Sequence, residues 1–269
     1  MHYASVFDRK IMELSRILKE TIYGAVEFLT LGRGVKRRIG DEVVSFPTRW
    51  SRYYESGYEP ETFLFFRNYL KPGDVVLDIG AHIGLFSVVT SRLVGENGRV
   101  FAFEPTPFTR EVLTDVIRLN KCEANVEIRP EAVADKVGTT FFFDTGTEVS
   151  NANSLVKTER SKEKIEIPVT SVDEFVAERG LNVNCLKIDV EGAEFDLLRG
   201  ARRVFADQRP VARLGLHPES MAANGHSLKM IWDILEDYRY RAEYNGSPIS
   251  KQDFCSQPTL FDVNIFPIS

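Results

Sequence analysis

Val75-Val76-Leu77-Asp78-Ile79-Gly80-Ala81-His82-Ile83-Gly84-Leu85-Phe86-Ser87 is the stretch whose reading decides the fold. It opens on an apolar, β-branched run, the pattern of a buried parallel strand. The run ends in an acid and two glycines, and residues 85–94 then carry apolar side chains on more than one helical face. Strand, glycine turn and helix make the first unit of a nucleotide-binding α/β sheet. Glycine lets the backbone turn tightly and come close to a ligand, and the helix N-terminus offers free N–H groups.

The turn narrows the choice of nucleotide. A dinucleotide fingerprint needs glycine at 80, 82 and 85, whereas the chain carries Gly80, His82 and Leu85. Glu104 closes the next strand-like run, residues 99–104. It stands about 20 residues beyond the turn, where an acid takes ribose hydroxyls. That spacing suits NAD and S-adenosylmethionine alike. Asp78 separates them, because a carboxylate inside the turn repels a pyrophosphate and attracts an ammonium and a sulfonium. Two alternatives stay open: an NAD-dependent oxidoreductase, disfavoured by the missing glycines, and a non-catalytic adenosyl-ligand binder on the same fold.

The composition sets outer limits. With 269 residues, 43% hydrophobic and 27% charged, the chain reads as one large α/β domain with an appendage. A net charge of −5 argues against a nucleic-acid binder. Arg33, Lys36, Arg37 and Arg38 form a local basic cluster. Cys122, Cys185 and Cys255 lack C-x-x-C spacing and read as reduced thiols of a cytoplasmic protein. No apolar run reaches the length of a membrane span. Asp8, Arg9, Lys10 and Glu13 interrupt any apolar signal-peptide core.

Ile11, Leu14, Leu18, Ile22 and Val26 recur at helical spacing, so residues 6–30 are predicted as a helix. It is expected to pack on the domain or to line a homodimer contact. Residues 35–46 are predicted as a hairpin turning near Gly40-Asp41. Residues 1–57 are thus a helical and hairpin extension, and 58–269 the main domain. Helices are expected at 59–70 and 107–120 and a third strand at 125–129. Residues 131–135 are read as a loop at the carboxyl edge of the sheet. Residues 139–144 and 164–169 alternate like paired strands, and the polar segment 145–164 is read as a lid. Ser171 with Glu174 has the capping-box spacing. Residues 184–190 and 211–216 are further strands. A helix is expected from Glu191 to about Ala206 and another over 227–238. Residues 241–245 and 260–266 close the sheet, the last strand antiparallel.

Asp78-Ile79-Gly80-Ala81-His82-Ile83-Gly84, Phe103-Glu104-Pro105 and Leu186-Lys187-Ile188-Asp189-Val190-Glu191-Gly192-Ala193-Glu194 together resemble the FkbM-type methyltransferases. Tyr58-Glu59-Pro60-Glu61 and Leu70-Lys71-Pro72-Gly73-Asp74 resemble that family too. The resemblance covers residues 58–269; His82 stands where the family often has Asn. It implies a Rossmann-like class I fold, a seven-stranded, mostly parallel sheet with helices on both faces. It also implies methyl transfer from S-adenosylmethionine to a hydroxyl of a small-molecule, sugar or polyketide-like acceptor. Carried over, Asp78, Gly80, Ala81, His82 and Gly84 hold the methionine part and Glu104 with Pro105 the ribose. Glu131 and Ala132 flank the adenine, and Asp189 lies beside the cofactor.

An alcohol is a poor nucleophile until its proton is taken. His217 closes one strand just before Pro218, and an unperturbed imidazole titrates near pH 6.5. It is the expected base, with Asp189 orienting it or holding the acceptor, and Glu194 in reserve. Asp189, Glu191, Glu194, His217 and Glu219 also offer an oxygen-rich divalent site. The simpler reading places Glu191 and Glu194 in a first helical turn, where the dipole favours acids, and assigns no metal.

Overall fold

The computed structural model describes residues 18, 21–144 and 163–268. The chain divides into two compact units, Met1–Tyr58 and Glu59–Ser269.

In the first unit, the helix expected over residues 6–30 is described at 21–29, where Ile22, Phe28 and Leu29 are exposed rather than buried. The hairpin is formed by β1 (Val35–Ile39) and β2 (Glu42–Phe46), paired from Val35↔Phe46 to Ile39↔Glu42. Gly40 takes the positive φ of 56° that the tight turn requires. Ile39, Val44 and Phe46 are buried, and the ring of Tyr54 lies 5.9 Å from Phe46 and 4.7 Å from Tyr58.

The second unit opens with α1 (Pro60–Tyr69), β3 (Val75–Ile79), α2 (Leu85–Val94), β4 (Arg99–Phe103), α3 (Pro107–Leu119) and β5 (Val126–Arg129). Three strands then form a sheet of their own: β6 (Ala132–Val133), β7 (Gly138–Asp144) and β8 (Glu163–Thr170). The main sheet resumes after α4 (Val172–Arg179) with β9 (Cys185–Ile188), α5 (Glu194–Arg199) and β10 (Val211–Leu216). It ends with α6 (Pro218–Ala223), α7 (Leu228–Asp237), β11 (Tyr240–Tyr244), β12 (Ser247–Pro248), α8 (Lys251–Cys255) and β13 (Phe261–Pro267).

The main sheet has eight strands in the order β12-β11-β13-β10-β9-β3-β4-β5. The seven expected strands are present, five of them parallel from β10 to β5, with β13 antiparallel between β10 and β11. The eighth, β12, is a two-residue edge piece folded back by Asn245 and Gly246, both at positive φ. Leu77, Ile79, Phe101, Phe103, Leu186, Ile188, Leu214 and Val263 are buried in one continuous core. Fully buried strands explain why those runs read as unbroken apolar stretches. Ser171 caps α4, its hydroxyl accepting from the N–H of Glu174 at 3.2 Å.

Three expectations change. Ala132–Val133 is not loop but strand, paired in parallel with Val169–Thr170. The helix expected from Glu191 starts only at Glu194, because Glu191 (φ 55°) and Gly192 (φ 108°) are left-handed. It ends at Arg199, and a π-helical turn at Val204–Gln208 follows. The expected lid over 145–164 lies outside the described residues except for its last two positions, in β8.

Candidate active site

The site collects where the parallel strands end. After β3 the chain passes Gly80 (φ 81°) and Gly84 (φ 88°), conformations that favour glycine. Gly80 has a second reason: a Cβ there would lie 1.8 Å from the carbonyl oxygen of Asp189. The N–H groups of Gly80 and Ala81 donate to the carbonyl of Phe103 at 3.1 and 2.9 Å, tying the turn to β4. Asp78 is 1% exposed; its Oδ2 accepts from the Ser87 hydroxyl at 2.5 Å. Its Oδ1 has no hydrogen-bond partner among the described residues. Burial raises its pKa against the pull of Lys187.

Glu104 is buried at the end of β4. Its carboxylate accepts from the backbone N–H of His82 at 3.0 Å and of Thr106 at 2.9 Å. Burial raises its pKa, with those donors opposing. The N–H of His82 is thereby committed to Glu104. Burial also pushes the His82 imidazole down to about 4, so the ring is neutral. Arg110 donates to the carbonyls of Glu104 and Pro105 at 2.9 and 3.0 Å. Glu131 is held by Arg129, whose Nε donates at 3.1 Å and whose Nη2 makes a second bond. Ala132 is buried within β6. The orphan Asp78 oxygen, the two left-handed glycines and the acid closing β4 fit the adenosyl ligand that the turn suggests.

Next along the edge lies a charged cluster. Lys187 on β9 pairs in register with Asp78, is buried, and donates to Asp189 Oδ2 at 3.0 Å. Burial disfavours its charge, but Asp189 and Asp78 outweigh it and raise its pKa. Burial likewise pushes Asp189 up, yet Lys187 and His217 hold it below the usual carboxylate range. The Asp189 side chain is 33% exposed.

His217, the N-cap of α6, faces three carboxylates. Its Nδ1 meets Glu194 Oε1 at 2.7 Å, and its Nε2 lies 3.3 Å from Glu191 and 3.6 Å from Asp189 Oδ1. Glu194 is fully buried and also accepts from the N–H of Gly192 at 3.0 Å. Burial disfavours the imidazolium, but the hydrogen bonds to Glu191 and Glu194 prevail and push His217 up to about 10. The expectation of a base titrating near pH 6.5 is therefore corrected: at neutral pH His217 is a cation. Of the five residues read as a divalent site, Asp189, Glu191 and His217 place ligand atoms within 4.8 Å of one another. Glu194 sits behind His217, and Glu219 is exposed on α6.

Four residues escaped the reading of the sequence. Arg213, buried in β10, donates to Thr62 at 3.0 Å, to Asn264 at 3.0 Å and to Asp262 Oδ2 at 3.1 Å. It joins α1, β10 and β13. Burial raises the pKa of Asp262 against the pull of Arg213. The signals were an arginine inside the apolar run 211–216 and the alternation Phe261-Asp262-Val263-Asn264-Ile265.

With this geometry established, comparison with known proteins places it. The sequence matches the methyltransferase FkbM domain over residues 78–242. It is 31% identical over 162 residues to the 31-O-demethyl-FK506 methyltransferase FkbM of Streptomyces tacrolimicus, covering 49% of this chain and 60% of that protein. It is 30% identical over 128 residues to the hexuronic acid methyltransferase AglP of Haloferax volcanii, covering 47% and 49%. The chain thus spans between 49% and 60% of the length of these curated relatives. The crystal structure of a Clostridium thermocellum protein proposed to be an rRNA methylase shares the fold, with a TM-score of 0.50 and 12% identity over 78% of this chain and 94% of that one. The family match runs over more than half of the chain and shows that this protein belongs to the FkbM methyltransferase family.

Proposed function

We propose that this protein is an S-adenosylmethionine-dependent O-methyltransferase acting on a hydroxyl of a small-molecule, sugar or polyketide-like acceptor. The observation that carries the reading is the adjacency of two sites. The Gly80–Gly84 turn, with Asp78 beneath it, touches the backbone of Asp189, the residue whose carboxylate is bound to Lys187 and partly open to solvent. The names of the relatives, an O-demethyl macrolide methyltransferase and a hexuronic acid methyltransferase, support a hydroxylated acceptor. The missing fingerprint glycines and the family membership count against NAD.

In this reading Asp78, Gly80, Ala81, His82 and Gly84 hold the methionine part of the ligand. Glu104 and Pro105 hold the ribose; the Glu104 carboxylate accepts from the N–H groups of His82 and Thr106 and from the Thr106 hydroxyl, and its remaining acceptor capacity takes a ribose hydroxyl. Glu131 and Ala132 flank the adenine. Bound S-adenosylmethionine supplies a methyl group made electrophilic by its sulfonium.

Asp189 inherits the role of base. Glu194 is enclosed and bonded to His217, and His217 already carries its proton. A carboxylate of low pKa suffices here, because an alcohol oxygen forming a third bond becomes an oxonium and its proton a strong acid. Lys187 fixes Oδ2 of Asp189 and leaves Oδ1 to receive that proton. The His217 imidazolium steadies the same carboxylate and is itself oriented by Glu194. No metal is assigned in this reading.

The test is calorimetry with S-adenosylhomocysteine and NAD, followed by labelled-methyl transfer to a panel of hydroxyl acceptors. Wild-type protein is expected to bind the first ligand and not the second. Asp189→Asn should keep that affinity and lower the rate by about 10²–10⁴-fold. Absence of S-adenosylhomocysteine binding overturns the reading, and binding without product from any acceptor favours the non-catalytic alternative.

A further inference from the structure

Gly215 lies on β10 directly opposite Asp262 on β13. A Cβ at Gly215 would stand 3.1 Å from Asp262 Oδ1 and 3.2 Å from Asp189 Oδ1. Two carboxylates, one just past the end of β9 and one on β13, therefore converge over a residue with no side chain. Gly215 does not have the left-handed backbone that demands glycine, so its missing side chain is a matter of space rather than conformation.

The two carboxylates are held alike. Asp189 Oδ2 is bound by buried Lys187 and Asp262 Oδ2 by buried Arg213. Each cation is spent on its partner's far oxygen. Each Oδ1 is left turned toward the floor formed by Gly215. Asp262 Oδ1 makes no hydrogen bond among the described residues, and the neighbour of Asp189 Oδ1 is His217 at 3.6 Å, beyond hydrogen-bond length. Both side chains remain reachable from solvent, at 33% and 30% exposure.

An ionised carboxylate oxygen only accepts, so this pair asks for two donors. The donors cannot belong to an anion, which two carboxylates repel and for which Lys187 and Arg213, the cations bound to them, are already committed. Resting on the methyl-transfer reading above, we propose that Asp189 Oδ1 and Asp262 Oδ1 are a two-point receptor for adjacent hydroxyls of a neutral, polyhydroxylated acceptor. The hydroxyl on Asp189 is the one methylated. The hydroxyl on Asp262 fixes the ring, and Gly215 is the floor that lets it lie flat. Asp262 lies outside the segment that matches the family, residues 78–242.

The probes are cyclohexane-1,2-diol, cyclohexanol, methyl hexosides and the matching methyl hexuronates, their affinities measured by ligand-observed NMR on protein loaded with S-adenosylhomocysteine. The neutral vicinal diols are expected to bind at least about tenfold more tightly than cyclohexanol and the uronates, the margin of one good hydrogen bond to a charged group. Asp262→Asn keeps an oxygen for Arg213 but turns an amide donor toward the floor. Gly215→Ala keeps both carboxylates and fills the gap. Each should erase the diol margin while S-adenosylhomocysteine affinity stays within about twofold of wild type. An unchanged margin in either folded variant, a preference for uronates, or no diol binding at all overturns the proposal. Failure of the wild-type protein to bind S-adenosylhomocysteine instead sinks the methyl-transfer reading beneath it.

Discussion

Glu194→Gln tests the electrostatics of the site most directly. The wild-type His217 titrates at about 10 because Glu191 and Glu194 prevail over the cost of burial. An ordinary imidazole titrates near 6.5, so the folded state prefers the cation by about 5 kcal/mol. A single charge at about 4 Å in a partly screened site contributes about 4 kcal/mol of this. Replacing Glu194 removes that charge, keeps an oxygen facing Nδ1 and should bring His217 into the neutral range. The sign follows from linkage. A raised folded-state pKa adds stability that is fully present below about pH 6.5 and is lost as pH rises through about 10. Wild-type protein should therefore lose stability toward alkaline pH, by at most the same 5 kcal/mol, whereas Glu194→Gln should lose its share near neutrality. The assay is an NMR titration of the histidine rings, with His217→Gln for assignment, beside urea melts across the same pH range. His82, near 4, stays silent there. A wild-type His217 resonance titrating near 6.5, or one that Glu194→Gln leaves in place, would refute the reasoning.

Gly80→Ala drives a Cβ into the Asp189 carbonyl from a positive φ, and thermal melts should show a loss of about 2–5 kcal/mol; an unchanged melting point would contradict the packing. Glu104→Gln keeps a carbonyl oxygen for only one of its two backbone donors and turns an amide N–H on the other, so melts should show a loss of about 1–3 kcal/mol while calorimetry shows S-adenosylhomocysteine binding about tenfold weaker. Lys187→Met leaves Asp78 and Asp189 without their cation and should cost about 3–5 kcal/mol in urea melts; a loss under 1 kcal/mol would mean that Lys187 is not their partner. Exhaustive chelation should change neither the melting point nor S-adenosylhomocysteine affinity; a drop in either would restore the metal reading of Asp189, Glu191 and His217.

What the sequence made legible was whatever depends on local pattern. The strands Val75–Ile79 and Cys185–Ile188 are continuous apolar runs because both faces of the sheet are covered. Gly80 and Gly84 announce the turn because few other residues tolerate its backbone. What stayed hidden depends on distance along the chain or on the exception to a rule. Glu191 is a non-glycine residue at positive φ, so Glu191-Gly192-Ala193-Glu194 read as a helix start when it is a turn. His217 looked like an ordinary imidazole because its partner Glu194 stands 23 residues away. Arg213 and Asp262 are separated by 49 residues, and no periodicity links them.

The position of β13 carries a consequence for how the molecule assembles. This strand follows β11 and β12 along the chain, yet it lies between β10 and β11. Until it arrives, those two strands hold a vacant slot flanked by unpaired backbone, the kind of edge that recruits other chains. Asp262 and Asn264 arrive with it, so Arg213 waits without its acceptors on β13 until the same moment. Until residues 261–267 pair, the nascent chain therefore carries a sheet whose turn region is complete and whose far half is open. Strand insertion would be the late, long-range step of folding, and the stage at which a holdase chaperone has a strand-shaped target to cover.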